Sequence, residues 1–254
     1  EIARLRSQNR EVILVSSGAI ALGAKVLGLE KKPDKMSDRQ ALAGVGQSLL
    51  MAAWRQGFVS HGIEVAQVLL THDDLGDRKR YLNASHAIES MLKMGVIPII
   101  NENDTVAVEE IQLGDNDRLS GQIAVVSGAD LLLILSTAEA LFDKNPQNNE
   151  NAQRISEVPQ IDAAIESCAH DGISKWGRGG MATKVDAARM VTLSGIPVLV
   201  AAGREDEVIS RLLSGEDMGT AFHPESRKLK GRKHWIAFTL KPSGKLIVDQ
   251  GAVK

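Results

Sequence analysis

Five short apolar runs, at residues 12–15, 65–70, 96–100, 131–135 and 198–201, constrain this chain more than any other feature. Each has the length of a buried strand and is too short for an ordinary helix. Strands covered on both faces read as near-continuous Val, Ile and Leu, and these runs read that way. Between them lie segments with helical spacing of Ala, Leu and Met, at 38–60, 77–94, 120–127 and 184–194. Residues 1–9 read as the end of a further helix. Strand and helix in alternation predict an α/β fold with a mostly parallel central sheet and helices on both faces, a three-layer sandwich.

The chain has 254 residues, enough for one substantial core or for one domain and a small appendage. Net charge is −2, which gives no global pull toward nucleic acid or membrane. No run is apolar for long enough to make a spanning helix, and no signal peptide is visible. The single cysteine, Cys168, excludes an intramolecular disulfide and a cysteine-based zinc site; it reads as an inert helix residue in a cytoplasmic protein. Asn83-Ala-Ser matches a glycosylation sequon, expected to be idle without secretion. The chain opens on Glu1, in mid-helix, so a fragment of a longer protein is expected.

Chemistry concentrates where the runs end. After 96–100 come Asn101, Glu102, Asn103 and Asp104. A short hairpin-like excursion later come Asp115, Asn116 and Asp117. In open α/β sheets the carboxyl edge of the strands is where ligands bind. Amides and carboxylates there can hold an ammonium group, orient a small amino acid or position Mg²⁺ around phosphates; turns and helix caps are the plainer use. Ser16-Ser17-Gly18-Ala19 follows the first run and suits either an anion site at a helix N-terminus or an ordinary turn. Trp176-Gly-Arg-Gly-Gly-Met-Ala-Thr-Lys184 offers a glycine-rich loop and a cation for a phosphate, or a hinge; it is not a Walker A sequence. Leu135-Ser-Thr-Ala-Glu-Ala-Leu-Phe-Asp143 follows the fourth run, a position that suits the rim of a nucleotide pocket. Residues 143–151, rich in Asn, read as a mobile surface loop.

Other chemistries are disfavoured. The six histidines form neither H-x-x-x-H nor H-E-x-x-H, so no side-chain metal site is expected. No G-x-S-x-G elbow occurs, and Gly44-Val-Gly46 is not completed to a dinucleotide fingerprint. The basic run 227–233 reads as a solvated linker rather than an RNA contact.

Taken together, Val15-Ser-Ser-Gly-Ala-Ile-Ala-Leu-Gly, Gln40-Ala-Leu-Ala-Gly-Val-Gly-Gln, Asp77-Arg-Lys-Arg-Tyr-Leu-Asn-Ala, Ile100-Asn-Glu-Asn-Asp, Gly114-Asp-Asn-Asp and Gly179-Gly-Met-Ala-Thr-Lys resemble the glutamate 5-kinases of the amino-acid-kinase superfamily. The motifs run in the family's order over nearly the whole chain. The resemblance implies transfer of the γ-phosphoryl group of ATP, with Mg²⁺, to the γ-carboxylate of L-glutamate, the first step of proline synthesis. It implies L-glutamate contacts from Ser17, Gly18, Ala19, Asn101, Asp104, Asp115 and Asn116. Within that set Asp104 would hold the α-ammonium. Nucleotide contacts would come from Ser136 and Thr137 and from Arg178, Gly179, Gly180, Met181, Ala182, Thr183 and Lys184. Lys184 and Asp117 would be catalytic, the lysine stabilising the transferring phosphoryl group and the aspartate organising lysines or metal-bound phosphates. Feedback inhibition by L-proline is implied, with the charged segment 69–83 as a wall of its pocket. A homo-oligomer is also implied.

The resemblance further implies a kinase domain over 1–234 and, at 235–254, a linker and the first strand of a truncated PUA domain. The family's opening Lys-x-Gly-Ser-Ser strand is not in this sequence, and the fragment alone is expected to be inactive. Ser136-Thr137-Ala138-Glu139-Ala140 lacks the acidic residue and glycine usual at the nucleotide turn, and Arg178 stands where a small residue is usual. Two other readings stay open. One is a related kinase acting on aspartate, acetylglutamate, carbamate or a nucleoside monophosphate. The other is a non-catalytic glutamate or proline sensor.

Overall fold

All five apolar runs form strands. The computed structural model describes residues 1–31, 33–107, 115–170 and 180–225. The chain begins with α1 (Ile2–Ser7), β1 (Leu14–Val15), α2 (Ala19–Val26), α3 (Met36–Val59), β2 (Val65–Leu70), α4 (His72–Gly76), α5 (Arg78–Lys93) and β3 (Ile97–Glu102). It continues with α6 (Asp115–Ser127), β4 (Leu132–Ser136), β5 (Leu141–Phe142), β6 (Arg154–Ile155), β7 (Glu157–Val158) and α7 (Ala163–His170). Then come α8 (Met181–Thr192), β8 (Val198–Ala202), α9 (Val208–Leu213) and β9 (Thr220–Phe222). The basic run and the expected PUA strand lie outside the described residues.

The pairing is mostly parallel, as expected. One sheet has the order β1-β3-β2 and is parallel throughout. A second has the order β4-β8-β9-β7; only its β8–β9 pair is antiparallel. β5 and β6 form a separate antiparallel hairpin.

Alternation along the central strands shows the layering. On β3, Ile97 and Ile99 pack with Phe58 and Trp54 of α3. Ile100 points the other way, into a cluster with Ile88 of α5 and Leu119 and Ile123 of α6. On β8, Val198 and Val200 pack with Val185, Ala188 and Val191 of α8, while Ala201 packs with Val208 and Leu212 of α9. Successive strand residues face opposite sides, so each strand buries both faces only between two helical layers.

The largest departures from the sequence reading lie at element ends. β3 continues to Glu102, so Asn101 and Glu102 are ladder residues paired with Leu69 and Leu70. α6 begins at Asp115, five residues before the segment that reads as helical. Its first turn carries the polar triplet, which favours a helix N-terminus without joining the apolar stripe. Residues 143–153 connect β5 to β6, and in this stretch Gln153 N donates to Asp143 Oδ1 at 2.7 Å and Gln147 N to Asn145 Oδ1 at 2.9 Å.

α2 and α3 touch backbone to backbone. A Cβ on Gly46 would lie 1.7 Å from the carbonyl oxygen of Ala19, and one on Gly23 would lie 2.1 Å from that of Leu42. Backbone cannot yield as a side-chain tip can. Gly46→Ala is therefore expected to destabilise the fold by on the order of 3 kcal/mol, and to lower the melting temperature well beyond Gly57→Ala on the same helix. Gly57 has nothing within 4 Å of its Cβ position. Equal melting temperatures would remove the close approach from the account.

Two of the charges in 69–83, Asp74 and Asp77, serve as caps. Thr71 and Asp74 form a reciprocal capping box on α4, and Asp77 Oδ1 accepts from Arg80 N at the start of α5. Partial burial works to raise the Asp74 carboxyl, but hydrogen bonds from the Thr71 N–H and hydroxyl, with Arg80 at 3.0 Å, outweigh it and hold the group below its ordinary value. A depressed carboxyl stabilises the fold above its unfolded pKa and loses that contribution as pH falls through the folded one. Asp74→Ala should thus cost about 1 kcal/mol at neutral pH. The melting-temperature gap to the unsubstituted protein should close in acid, below the ordinary carboxylate range. A gap constant with pH would contradict this.

Candidate active site

The carboxyl ends of β1, β3 and β4 and the N-termini of α2, α6 and α8 surround one cavity of about 1350 Å³. Each terminus is there for a local reason. Ser16 continues the β1 ladder, its N–H donating to Ile100 O at 2.9 Å, and its hydroxyl accepts from Trp54 Nε1 at 2.9 Å. The chain then turns at Gly18, whose φ of 105° suits a residue without Cβ, and α2 begins at Ala19. Ser17, Gly18 and Ala19 all line the cavity.

At the end of β3, Asn101 is 3% exposed and Asp104 9% exposed, and both line the cavity. Asn103 N donates to Leu70 O at 2.9 Å, which fixes the turn that carries Asp104. From the first turn of α6, Asn116 reaches back, its Nδ2 donating to Asn101 Oδ1 at 3.1 Å. The side-chain oxygen of Asn116, Oδ1, is buried and has no hydrogen-bond partner among the described residues. Asp117, one residue on, points toward α8.

Asp117 Oδ2 accepts from Lys184 Nζ at 3.0 Å and from the Thr183 hydroxyl at 2.6 Å. The Lys184 and Asp117 side chains are only 11% and 15% exposed. A pair this buried is weak evidence for stability, since desolvation offsets much of the attraction. Its clear effect is to hold an ammonium group in the cavity wall. Gly121 of α6 also faces α8: a Cβ on it would lie 2.6 Å from the Met190 methyl and 3.4 Å from the carbonyl oxygen of Ala187.

The other end of the cavity is built by the chain leaving β4. Ser136 O accepts from Gly203 N at 2.8 Å, and Ser136 Oγ accepts from Ala138 N at 3.0 Å, which bends the chain into β5. Leu141 N donates to the hydroxyl of Thr220, which anchors this bend to β9. Ser136 and Thr137 line the cavity together with Gly180 and Met181 at the start of α8.

Of the residues expected at a site, Ser17, Gly18, Ala19, Asn101, Asp104, Asn116, Asp117, Ser136, Thr137, Gly180, Met181 and Lys184 share this one cavity. Ala182 and Thr183 do not line it; Thr183 acts behind it, on Asp117. Asp115 is the first residue of α6. Arg178 and Gly179 lie outside the described residues. None of residues 69–83 lines the cavity among the described residues.

The structure adds residues that sequence reasoning passed over. Lys25 and Lys31, on and after α2, and Lys144, in the loop after β5, line the cavity with Lys184. Cys168, read as an inert helix residue, also lines it, from α7. No sequence spacing marks these positions; they come together only when the elements pack. Among the described residues no group of three or more His, Cys, Asp or Glu could cage a metal ion. Asp117 is already engaged by Lys184 and Thr183. A divalent cation entering here would ride on phosphate oxygens and keep most of its water, the habit of Mg²⁺.

The cavity thus has an amide- and carboxylate-lined end under β3, a bend-and-helix end beyond β4, and a fixed cation between α6 and α8. Residues 1–202 match the model of the amino acid kinase family. The chain is 49% identical to a glutamate 5-kinase of Marinomonas sp. over 254 residues, all of this chain and 68% of that one. It is 46% identical over 252 residues to a glutamate 5-kinase of Pelobacter propionicus, covering 99% of this chain and 68% of that one. Its fold is similar to a solved UMP kinase of Bacillus anthracis, with a TM-score of 0.54 at 17% identity, over 89% of this chain and 84% of that one.

Proposed function

We propose that this chain, which belongs to the amino acid kinase family and within it to the glutamate 5-kinases, is the kinase unit of an enzyme that phosphorylates L-glutamate on its γ-carboxylate with ATP. The observation that carries the reading is the single cavity that joins Asn101, Asp104 and Asn116 at one end to Ser136, Thr137 and Gly180 at the other, with Lys184 in its wall.

The chemistry asks little of side chains as acids or bases. A γ-carboxylate is ionised at neutral pH and is already a nucleophile. One of its oxygens attacks the γ-phosphorus of ATP, the bond from that phosphorus to the β,γ-bridging oxygen breaks, and ADP leaves with the electron pair. The obstacle is bringing two anions together, so catalysis is positioning and charge stabilisation. Asp104 takes the α-ammonium of glutamate, Asn116 also contacts the substrate, and Asn101 and the Ser17–Gly18–Ala19 turn help to fix it. Asp115 belongs to the same set. Lys184, held by Asp117 and Thr183, meets the charge that develops on the transferring phosphoryl group. Ser136 and Thr137 hold the nucleotide, and residues 178–184, which lead into and open α8 at Met181, meet its phosphates. Mg²⁺, bound with ATP, supplies charge neutralisation on those phosphates.

The kinase domain spans 1–234 and leads at 235–254 into a PUA domain. The product enters proline synthesis, and L-proline competes with glutamate, since it offers a carboxylate and a secondary ammonium to the same groups. The enzyme works as a homo-oligomer in the cytoplasm.

The test is an acceptor screen on the full-length protein, following ADP release from MgATP. L-Glutamate should be phosphorylated in clear preference to aspartate, N-acetylglutamate, carbamate and UMP. Preference for any of these, or ADP release independent of acceptor, would overturn the assignment.

A further inference from the structure

Behind the substrate end of the cavity, four side-chain amides from four elements are joined head to tail. Gln47 Nε2 on α3 donates to Gln67 Oε1 on β2 at 3.3 Å. Asn101 Nδ2 on β3 donates to Gln47 Oε1 at 2.9 Å. Asn116 Nδ2 on α6 donates to Asn101 Oδ1 at 3.1 Å. Gln47 is 9% exposed and Asn101 3%. At one end of the row Gln67 is exposed. At the other, the side-chain oxygen of Asn116, Oδ1, is buried without a partner among the described residues. Asn101 and Asn116 line the cavity; Gln47 does not.

A side-chain amide accepts at one end and donates at the other. In a head-to-tail row, the orientation of each amide therefore dictates that of the next. Only two settings are self-consistent. In the one observed, every amide donates toward Gln67, and Asn116 is left with an unspent acceptor. With all four turned over, Asn116 would be left with an unspent NH₂. The first setting completes itself with a donor ligand, such as an ammonium group; the second completes itself with an anion. A buried acceptor without a donor is costly, so the observed setting favours a ligand that supplies one.

We propose that Gln47 is a positioning residue for substrate recognition: through Asn101 it holds Asn116 with its carbonyl oxygen unspent, and so selects a substrate that carries an ammonium group. The proposal rests on the reading of L-glutamate as substrate. Gln47 touches no substrate; it acts through the two asparagines that line the site.

Three substitutions in the full-length protein separate this role from simple packing. Gln47→Glu can only accept, so it enforces the observed setting, with exposed Gln67 turning its NH₂ inward. Gln47→Lys can only donate, so it enforces the opposite one. Gln47→Met keeps the bulk and does neither. Steady-state kinetics should give a glutamate KM within about twofold of the unsubstituted protein for Gln47→Glu, a rise of a few-fold for Gln47→Met and of about tenfold or more for Gln47→Lys, with kcat and the KM for ATP moving much less. Glutarate, which has both carboxylates and no ammonium, serves as the control inhibitor, and its inhibition constant should not rise in Gln47→Lys. Both charged variants bury an ion, so a merely structural role would lower both melting temperatures and shift both KM values alike. That result, or a normal glutamate KM in Gln47→Lys, overturns the proposal and leaves the glutamate reading intact. An unsubstituted protein that does not use glutamate overturns both, and shows this before any variant is compared.

Discussion

Lys184→Ala is expected to lower kcat by about 10²–10³-fold with a much smaller change in the KM for glutamate. Lys184 sits in the wall of the cavity, tied to Asp117 at 3.0 Å, with the Thr183 hydroxyl on the same carboxylate oxygen. A cation fixed in this way costs nothing to reorient when charge develops on the phosphoryl group. An interaction that strengthens only in the transition state appears in kcat rather than in KM. Removing the lysine also leaves Asp117 as a mostly buried carboxylate, which by itself destabilises a fold. The melting temperature of the variant should therefore be recorded, and Lys184→Arg made alongside it, since arginine returns the charge to Asp117 without the compact ammonium. Recovery of stability without recovery of kcat is the expected pattern. A near-normal kcat in a folded Lys184→Ala protein would take the lysine out of the mechanism.

Asp104→Ala should have its largest effect on the other substrate. Asp104 is 9% exposed, on the turn fixed by the Asn103–Leu70 hydrogen bond. Taking away the anion opposite a bound ammonium leaves that cation desolvated and unpaired, which typically costs about 3–5 kcal/mol. The KM for glutamate should rise by about 10²-fold or more, while that for ATP changes little. Asp104→Asn keeps the shape and an acceptor, so its effect should be smaller. Equal rises in both KM values would mean that the substitution disturbs the cavity as a whole.

The parts of this architecture that the sequence discloses are those set by local periodicity. Ile97, Ile99 and Ile100 announce a strand buried on both faces, and they are one. The end of that strand is less legible, because Asn101 and Glu102 are polar yet still pair with β2. The start of α6 is hidden for the same reason: Asp115, Asn116 and Asp117 belong to the helix but not to its apolar stripe, which begins at Leu119. A signal was present at α4, where Thr71-His-Asp-Asp74 has the spacing of a capping box before Leu75. β5, β6 and β7 have two residues each, too few for any period to emerge.

The candidate site was legible where a polar cluster follows a strand. It was illegible where distance along the chain is large. No local spacing announces the hydrogen bond between Asp117 and Lys184 across 67 residues; only the family resemblance, in which the aspartate organises lysines or metal-bound phosphates, points to it. Lys25, Lys144 and Cys168 reach the cavity from elements whose packing no local pattern encodes. Gln47 is harder still, since it sits one residue behind the site and works through Asn101.

The proposed product of this site is an acyl phosphate on glutamate. Hydroxylamine traps acyl phosphates as hydroxamates and does not trap ordinary phosphate esters. Full-length protein, MgATP, L-glutamate and hydroxylamine should yield γ-glutamyl hydroxamate in proportion to ADP, with both products falling together in Lys184→Ala. ADP formed without hydroxamate, or hydroxamate formed equally well by the Lys184→Ala protein, would contradict the account.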